Sequence, residues 1–477
     1  MTARCPGNGV LRWRFLFGFL LVVRAASAVE PTSPRAPTAA TRAGGCPLRA
    51  ARGQDQARGL CRERRLETED VVLALPRLVL ALPRLGMRLV LWPVGKTLDL
   101  VDRYALAERV KDVLYNDART AGVVPKLSVD SFFGASVGVK VFHEDLAGHG
   151  EYGSIEARFG GLYDSVTQLD FRADRFGGSR LWLQSLTRYD SQPGLLFQGV
   201  GMADTATPSP RADPREASVA TRFHEHRLLA LLRGGHTWGG PGQRLQLGAT
   251  GIYNVRDFGP KTAGDEPSIE AVYDTSRIVG FDERLPIVET DLNFVADTRD
   301  VESSTSSGSY VELFGGRARG AGAGDYEFWH YGAEAVAYFN LYKHNRVLIV
   351  RAALEAVDGQ EQRIPFSELA RLGGPRRLRG YPLDRFRDEK ALLTTLEYHY
   401  PIHQFIGGAV YADAGRVGRN YSELSDVDGW RTGVGVGLIF RSRLKQFFSV
   451  DVSYGDGVQV QLTTDPLRAF AKRDTEL

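Results

Sequence analysis

Apolar and polar residues alternate along most of the chain between residues 127 and 470. In the segment 434–440, for example, Val434, Val436 and Leu438 are separated by glycines. The same alternation recurs in the segments 137–142, 348–354, 448–454 and 458–462. Because successive side chains of a β-strand point to opposite faces, this pattern predicts strands with one apolar face and one polar or glycine-rich face. Strands of this kind occur both in soluble β-sandwiches and in membrane β-barrels.

The N-terminal sequence predicts that the protein is exported. Export allows the second alternative, a membrane β-barrel. Arg12 and Arg14 precede an apolar run at 15–23, and the small residues Ala26-Ser-Ala28 follow. This order is typical of a secretory signal peptide, which we place at 1–28 with cleavage after Ala28. The apolar run is too short for a membrane helix, which needs about 20 residues.

Length and hydropathy also favour a barrel. The chain has 477 residues and a mean hydropathy of −0.22, and alternating strands hide their apolar face from such an average. About 340 alternating residues, at about 20 per strand and turn, correspond to about 16 strands, whereas one soluble sandwich of that length is unusual. We therefore predict an all-β transmembrane fold, a single antiparallel β-barrel of about 16 strands over 127–470.

The region before the barrel is predicted to be irregular. Residues 29–70 are rich in Pro, Ala and Arg and predict a linker, which is either a solvated spacer or a segment that binds anionic lipid head groups. Residues 71–126 form a short periplasmic segment in which prolines interrupt the apolar runs and 98–115 has the spacing of an amphipathic helix. A polar tail follows at 471–477. Cys46 and Cys61 either form a disulfide or remain two thiols.

Glycine, proline and aromatic residues indicate where strands end. Gly-rich or Pro-rich stretches predict longer loops at 204–214, 259–268, 303–308 and 315–324. Aromatic side chains near strand ends suit the interfacial girdles of a membrane barrel or serve as ordinary apolar anchors. These residues are Trp182, Tyr189, Trp238, Trp329, Tyr398, Tyr400 and Trp430.

Two strands near the C-terminus carry charged residues on their polar face. In the segment 392–400, Glu397 lies on the face opposite to Leu392 and Leu396, and in 410–414 Tyr411 and Asp413 lie opposite to the small apolar residues. An apolar outer face with sparse polar residues inside is expected of a barrel with a polar lumen.

A loop rich in arginine and glycine precedes these strands and is predicted to fold into the lumen. A loop in a water-filled barrel cannot rely on an apolar core, but the guanidinium fork of Arg379 can bind a lumen carboxylate, for which Asp413 and Glu397 are candidates. Gly380 allows the backbone to approach the wall, and Tyr381 can pack beside it.

Motifs for catalysis or metal binding lack the context that their chemistry needs. Gly134-Ala-Ser-Val-Gly138 has the spacing of a hydrolase nucleophile elbow, but the segment continues as a strand instead of turning into a helix. His224-Glu-His226 lacks the spacing that places two histidines on one helix face. With a net charge of +3, nothing indicates nucleic acid. We predict a protein that is not an enzyme and has no cofactor and no metal site.

Three motifs resemble those of the BamA/TamA family of outer-membrane proteins, the bacterial surface antigen superfamily. The first is Arg379-Gly380-Tyr381, and the second is the aromatic-x-Asp-x-Gly motif of Tyr411, Asp413 and Gly415. The third is Asp297-Thr-Arg299-Asp300, which is followed by Gly308-Ser-Tyr310. The resemblance implies an outer-membrane barrel with a lid loop that carries Arg379 and a weak seam between the first and last strands, here 128–144 and 458–462.

The resemblance also implies a function. Family members insert, assemble or translocate proteins at the outer membrane, so the expected partners are the lipid bilayer, client outer-membrane proteins and periplasmic accessory proteins. Lipid is an alternative cargo. The periplasmic domains usual in the family show no convincing pattern in 29–126. The rival readings are a passive pore, a lipolytic enzyme that uses Ser136, and a surface adhesin.

Overall fold

The computed structural model describes residues 113–130, 134–161, 163–202, 211–240, 242–301, 304–322, 324–342, 344–403, 406–441 and 446–463. The expected signal peptide, the linker with Cys46 and Cys61, most of the expected helix at 98–115 and the tail at 471–477 lie outside the described residues.

A single antiparallel sheet of 16 strands makes up most of the described chain. Its strands follow one another in sequence order, except that a two-stranded hairpin, β12 and β13, lies between the eleventh and twelfth sheet strands. The sheet strands are β1 (Ala121–Asp130), β2 (Gly134–His143), β3 (Tyr152–Gly160), β4 (Tyr163–Ala173), β5 (Leu181–Phe197), β6 (Thr221–Gly240), β7 (Gln243–Pro260), β8 (Leu285–Asp297), β9 (Gly308–Gly320), β10 (Glu327–Tyr342), β11 (Arg346–Gly359), β14 (Lys390–His403), β15 (Ile406–Gly418), β16 (Arg431–Arg441), β17 (Gln446–Gly455) and β18 (Gly457–Thr463). The hairpin strands are β12 (Ala370–Leu372) and β13 (Phe386–Asp388).

The sheet curves into a barrel. Each strand pairs with its neighbour in order from β1 to β18, and Cα atoms of β1 and β18 approach within 8 Å of each other. Within the described part of the chain, the paired ladder does not continue from β18 to β1. The predicted fold class of about 16 antiparallel strands is confirmed.

The outer face of the barrel is mostly apolar, and the inner face carries most of the buried charged side chains together with small apolar clusters. Val137 is 58% exposed and Val436 is 55% exposed, whereas the charged residues between outward-facing neighbours, such as Asp413, are buried. The alternation in the sequence therefore corresponds to an outward apolar band and an inward polar wall, as in a membrane barrel. Other inward buried side chains include Arg188, Asp190, Arg227, Glu289, Glu334, Arg351 and Glu355.

The connections differ in length at the two ends of the barrel. The connections 198–220, 261–284, 360–389 and 419–430 lie at one end, which we name the loop end. The connections 241–242, 298–307, 343–345 and 404–405 lie at the other end, which we name the turn end. The loop end also carries two short helices, α1 (Ile269–Val272) and α2 (Tyr421–Ser425), and 3₁₀ turns at Thr275–Arg277, Glu361–Arg363, Phe366–Glu368 and Val427–Gly429. A further 3₁₀ turn spans Phe176–Gly178. None of the helices in the described residues is long and apolar enough to cross a membrane.

An apolar cluster joins the long connections at the loop end. Phe366, from the 360–389 loop, packs against Phe197 and Phe223 with ring centroids 6.0 and 5.7 Å away. Tyr273, which follows α1, lies edge-on to Phe197 at 5.1 Å. Aromatic pairs at these distances contribute beyond their apolar burial. The loops at this end therefore form a packed layer with its own core.

Two element boundaries differ from the sequence expectation. We expected a loop at 315–324, but β9 continues through its glycines to Gly320, because paired backbones on both sides hold them in the sheet. The expected loop at 303–308 does separate β8 from β9. The first strand begins at Ala121, ahead of the boundary that we placed at residue 127. The segment 128–144, which we expected to be a single first strand at the seam, contains the end of β1 and all of β2, so the strand at the seam is β1 alone.

The outward band generates a first prediction. Leu292 lies near the middle of β8 and is 66% exposed, so we expect Leu292→Arg to lower the free energy of unfolding from lipid vesicles by about 2–4 kcal/mol. Val301 is 45% exposed in the turn after β8, so the matched change Val301→Arg is expected to stay within about 0.5 kcal/mol of the wild type. Urea titrations followed by tryptophan fluorescence measure both; equal effects would contradict the outward band.

Candidate functional site

The 360–389 loop is the largest group of residues that lies against the inner wall. It leaves β11 after Gly359, forms the hairpin of β12 and β13, and returns to the barrel at Lys390 in β14. Leu372, Leu378 and Phe386 of this loop are almost fully buried, with exposures of 0–1%. They pack with Leu393 and Val417 of β14 and β15 into a small apolar cluster.

Arg379 of this loop binds Asp413 on β15 through both its backbone and its side chain. Its Nε and Nη2 donate to the two carboxylate oxygens of Asp413 at 2.8 and 2.9 Å, and its backbone N–H donates to Oδ2 at 2.9 Å. The Asp413 residue is 2% exposed. A planar guanidinium that binds both oxygens of a carboxylate is a strong and directional contact.

The remaining faces of the Arg379 guanidinium are also occupied. Its Nη1 donates to Glu397 Oε2 of β14 at 2.8 Å, and its Cζ lies 3.3 Å from the centroid of the Tyr411 ring. The other oxygen of Glu397 lies 2.6 Å from Nε2 of His399. The arginine therefore connects the loop to two adjacent strands through two carboxylates and one aromatic face.

Burial and charge act in opposite directions on Arg379. Burial alone would lower the pKa of its guanidinium, but the Glu397 and Asp413 carboxylates hold that pKa well above its usual value. Arg379 consequently stays charged wherever the barrel is folded, so the fork does not depend on a titration in the physiological range.

Glycines on the last strands make room for the loop. A Cβ at Gly433 of β16 would overlap the carbonyl oxygen of Arg379, and a Cβ at Gly435 would press against the ring of Tyr411. Gly380 has φ of +95°, a value that favours glycine, and its carbonyl accepts from the N–H of Asp456 at 2.8 Å. The loop backbone can therefore lie directly on β16 and on the turn between β17 and β18.

The other motif residues in this region also contact the loop. The Tyr381 hydroxyl donates to the carbonyl of Thr432 at 3.2 Å, and its ring packs against Phe386 at 5.2 Å. Gly415 of β15 faces Leu372, which a Cβ at this position would meet at 2.9 Å. The structure thus brings together Arg379, Gly380, Tyr381, Glu397, Tyr411, Asp413 and Gly415.

Sequence reasoning missed a second group of loop contacts. Arg351 of β11 donates from Nη1 to the carbonyl of Arg376 at 3.0 Å and from Nε to Glu334 at 2.9 Å. Arg377 of the loop donates to Glu355, which also lies 3.1 Å from His330 Nε2. The signal was present as one pair of polar residues four positions apart on each strand, His330 and Glu334 on β10 and Arg351 and Glu355 on β11, which places each pair on one face.

Arg387 on β13 holds the loop to the layer at the loop end. Its Nη2 donates to the carbonyl of Leu196 at 3.3 Å, and its Cζ lies 5.0 Å from the ring centroid of Phe197 and 5.7 Å from that of Phe366. Burial lowers the pKa of Arg387 to about 9. This second arginine anchor has aromatic and carbonyl partners in place of carboxylates.

The third motif forms a separate site at the turn end. Arg299 donates to both oxygens of Asp297 at 2.9 and 2.8 Å and lies over the ring of Tyr310 at 4.9 Å. Burial alone would raise the pKa of Asp300, but hydrogen bonds from Ser306 hold it below its usual value. The strand register places this turn at the opposite end from the 360–389 loop, so Asp297, Arg299 and Asp300 shape a turn and do not join the Arg379 group.

The chain matches the profile of a known protein family. A family profile described as "Omp85 superfamily domain" matches residues 145–468, which is more than half of the chain. The chain belongs to the Omp85 superfamily. The resemblance to BamA/TamA-type proteins in the sequence motifs is thereby confirmed at the level of this superfamily. A search of curated protein sequences found no match.

Solved structures that are similar to this chain include BamA and two CdiB proteins. BamA from Haemophilus ducreyi lacking POTRA domains 1–3 is 14% identical, with a TM-score of 0.47, over 72% of this chain and 69% of that one. CdiB from Acinetobacter baumannii is 11% identical, with a TM-score of 0.42, over 72% of this chain and 57% of that one. CdiB from Escherichia coli is 10% identical, with a TM-score of 0.43, over 72% of this chain and 60% of that one.

Superfamily membership indicates an outer-membrane location and orients the barrel. Outer-membrane barrels have long extracellular loops and short periplasmic turns. The loop end of this Omp85 protein, where the 360–389 loop enters, accordingly corresponds to the cell exterior, and the Asp297–Asp300 turn corresponds to the periplasm.

The segments considered for catalysis and metal binding are parts of the wall in this Omp85 protein. Ser136 is buried in β2, and the same strand continues to His143 without the turn and helix of a nucleophile elbow. His224 and His226 lie on β6, where His224 Nε2 is 3.1 Å from the Ser191 hydroxyl. No group of metal-binding side chains occurs among the described residues.

The Arg379 fork generates a second prediction. Removing one partner of a buried ion pair leaves the other charge uncompensated, so we expect Arg379→Ala and Asp413→Asn each to lower the free energy of unfolding by about 3–5 kcal/mol. Because the two side chains are in direct contact, the double variant should be no less stable than either single variant.

Urea unfolding of the vesicle-embedded protein measures the free energy of unfolding of the wild type, both single variants and the double variant. Arg379→Lys serves as the matched control, because it keeps the charge but loses the two-pronged geometry, and we expect an intermediate loss of stability. Additive losses in the double variant would show that Arg379 and Asp413 do not stabilise the barrel through each other.

Proposed function

We propose that this Omp85 protein inserts, assembles or translocates other proteins at the outer membrane, with the 360–389 loop as a lid over the lumen. The observation that carries the proposal is the fork from Arg379 to Asp413 and Glu397. It joins the loop to β14 and β15 inside a barrel whose two edge strands lie side by side. The proposal assigns no catalytic residue, cofactor or metal ion.

The adjacent edges of β1 and β18 support a role with client strands. Cα atoms of the two strands lie within 8 Å, while the paired ladder stops at each of them in the described residues. An edge strand presents backbone N–H and C=O groups that can pair with an extended chain. A seam of this kind can admit a client strand at the level of the membrane.

The position of the lid supports a coupling between the lumen and this seam. The Gly380 carbonyl accepts from the N–H of Asp456 in the turn between β17 and β18, and the Tyr381 hydroxyl donates to the carbonyl of Thr432 in β16. The loop therefore rests on the strands that lead to the seam. Release of Arg379 from Asp413 would withdraw support from those strands, which links opening of the lumen to movement at the barrel edge.

The surfaces of the barrel indicate the chemistry of its partners. The outward apolar band contacts the lipid bilayer, and the clients are unfolded outer-membrane proteins with strands of alternating polarity. Periplasmic accessory proteins would meet the turn end, where the Asp297–Asp300 turn presents an ordered surface. A passive pore is the alternative for the same barrel, because its inner wall is polar.

A third prediction tests the proposal with purified full-length protein in liposomes. An unfolded model barrel protein is added from outside, and its folding is followed by the shift of its band in unheated gels. We expect the wild type to accelerate folding relative to empty liposomes, and Arg379→Ala to lose most of this acceleration, because the lid no longer positions the seam.

Arg277→Ala is the matched control for this assay. Arg277 also lies in a connection at the loop end and is paired, with Asp213, but it is remote in sequence from the lid and its side chain is 60% exposed. The control should accelerate folding as well as the wild type does. A wild type that conducts ions steadily but leaves the client's folding rate unchanged would establish the passive pore instead.

A further inference from the structure

Three arginines converge on one carboxylate at the outer surface of the loop end. Arg317 and Arg319 lie on β9, Arg363 lies in the 360–389 loop, and all three pair with Glu327 at the start of β10. The Arg319 Nε–Glu327 Oε1 distance is 3.2 Å and the Arg363 Nη1–Glu327 Oε2 distance is 3.5 Å. Arg363 also pairs with Asp325. We name these five residues the rim cluster.

The rim cluster carries more positive than negative charge and is open to its surroundings. Three guanidinium groups face two carboxylates, Glu327 and Asp325. The Arg317 and Arg319 side chains are 41% and 60% exposed. Each guanidinium has five N–H donors, and the donors of three guanidinium groups outnumber the acceptor sites of two carboxylates, so N–H groups of the rim cluster remain for a further anion.

The rim cluster lies at the edge of the apolar band. Arg317 is paired in register with Trp329, which is 55% exposed, and its guanidinium lies 5.8 Å from the centroid of the Trp329 ring. Towards the turn end, the outward side chains of β9 and of the neighbouring strand β8 include Leu313 and Leu292, which are 46% and 66% exposed. Tryptophan beside arginine directly above apolar residues is the arrangement expected where hydrocarbon meets lipid head groups.

We propose that the rim cluster binds the phosphorylated head group of a lipid in the outer leaflet. A phosphate group accepts several hydrogen bonds and matches the planar fork of arginine, while Trp329 and the band below it contact the acyl chains. The site is separate from the lumen and from the seam, so it does not depend on the proposed function.

The rim cluster includes a residue of the 360–389 loop, which gives lipid binding a structural consequence. Arg363 lies in the 3₁₀ turn at the start of this loop, whereas Arg317 and Arg319 belong to the barrel wall. A phosphate shared by these arginines holds the start of the loop against β9. Bound lipid is therefore expected to stabilise the attached position of the loop.

The fourth prediction concerns lipid affinity. Full-length protein in detergent is titrated with lipid A that carries two phosphates, and bound lipid is counted by native mass spectrometry. Each basic side chain at an anionic membrane surface strengthens binding by about fivefold, so we expect the double variant Arg317→Gln/Arg319→Gln to bind about 25-fold more weakly. Lipid A without phosphates should bind the wild type as weakly as the phosphorylated lipid binds the double variant.

Matched variants separate the rim cluster from general charge effects. Arg277→Gln/Arg419→Gln removes two arginines of the loop end whose side chains are 60% and 47% exposed, and it should bind as tightly as the wild type. Arg317→Lys/Arg319→Lys keeps both charges but loses the planar forks, so its affinity should lie between those of the wild type and the glutamine double variant. If the glutamine double variant does not fold, Arg319→Gln alone should still lose about fivefold.

Three outcomes would overturn the proposal. The first is equal affinity of the wild type and Arg317→Gln/Arg319→Gln, or an equal loss in the Arg277→Gln/Arg419→Gln control. The second is equal binding of lipid A with and without phosphates. The third is full displacement of the lipid by inorganic phosphate, which would identify a site for the free ion.

Discussion

The contact between a single buried guanidinium and the inner wall determines how this barrel is filled. A polar loop in water gains little from contacts with a hydrated polar wall, and the apolar contacts of this loop with β14 and β15 form only a small cluster. Arg379 overcomes this constraint because its donors match two carboxylates, Asp413 and Glu397, on adjacent strands, while its face covers Tyr411. Such a contact is directional, so it positions the loop as well as retaining it.

The glycines of β16 follow from the same contact. A side chain at Gly433 or Gly435 would occupy the space of the Arg379 carbonyl or the Tyr411 ring. Glycine in a strand weakens the sheet, because it loses more conformational freedom and buries no side chain. The barrel wall is therefore locally less stable where the loop approaches it. That cost falls on strands close to the seam, where low stability would favour the opening of the edge that we propose.

The fold class could be predicted from the sequence because a membrane barrel imposes a period of two on every strand. Val137 and Val436 on the outside, and Glu397 and Asp413 on the inside, follow this rule. The glycines at 315–320 misled the prediction, since glycine density indicates loops only where no neighbouring strand supplies backbone hydrogen bonds. Their role in the sheet depends on β8 and β10, which the local sequence does not reveal.

The candidate site was predictable only where both partners carry a motif. Arg379 and Asp413 stand in recognisable contexts, so their contact could be anticipated. Arg377 with Glu355 and Arg351 with the Arg376 carbonyl join residues without a motif, and only the folded path of the loop brings them together. The rim cluster is a stronger case, because Arg363 comes from the loop and Arg319 from the wall. The 360–389 loop thus makes three separate contacts: with the lumen wall through Arg379, with the apolar layer through Phe366, and with the rim cluster through Arg363. A displacement of the whole loop would alter all three contacts together, so in our proposal this loop is the element through which lipid binding affects the lumen.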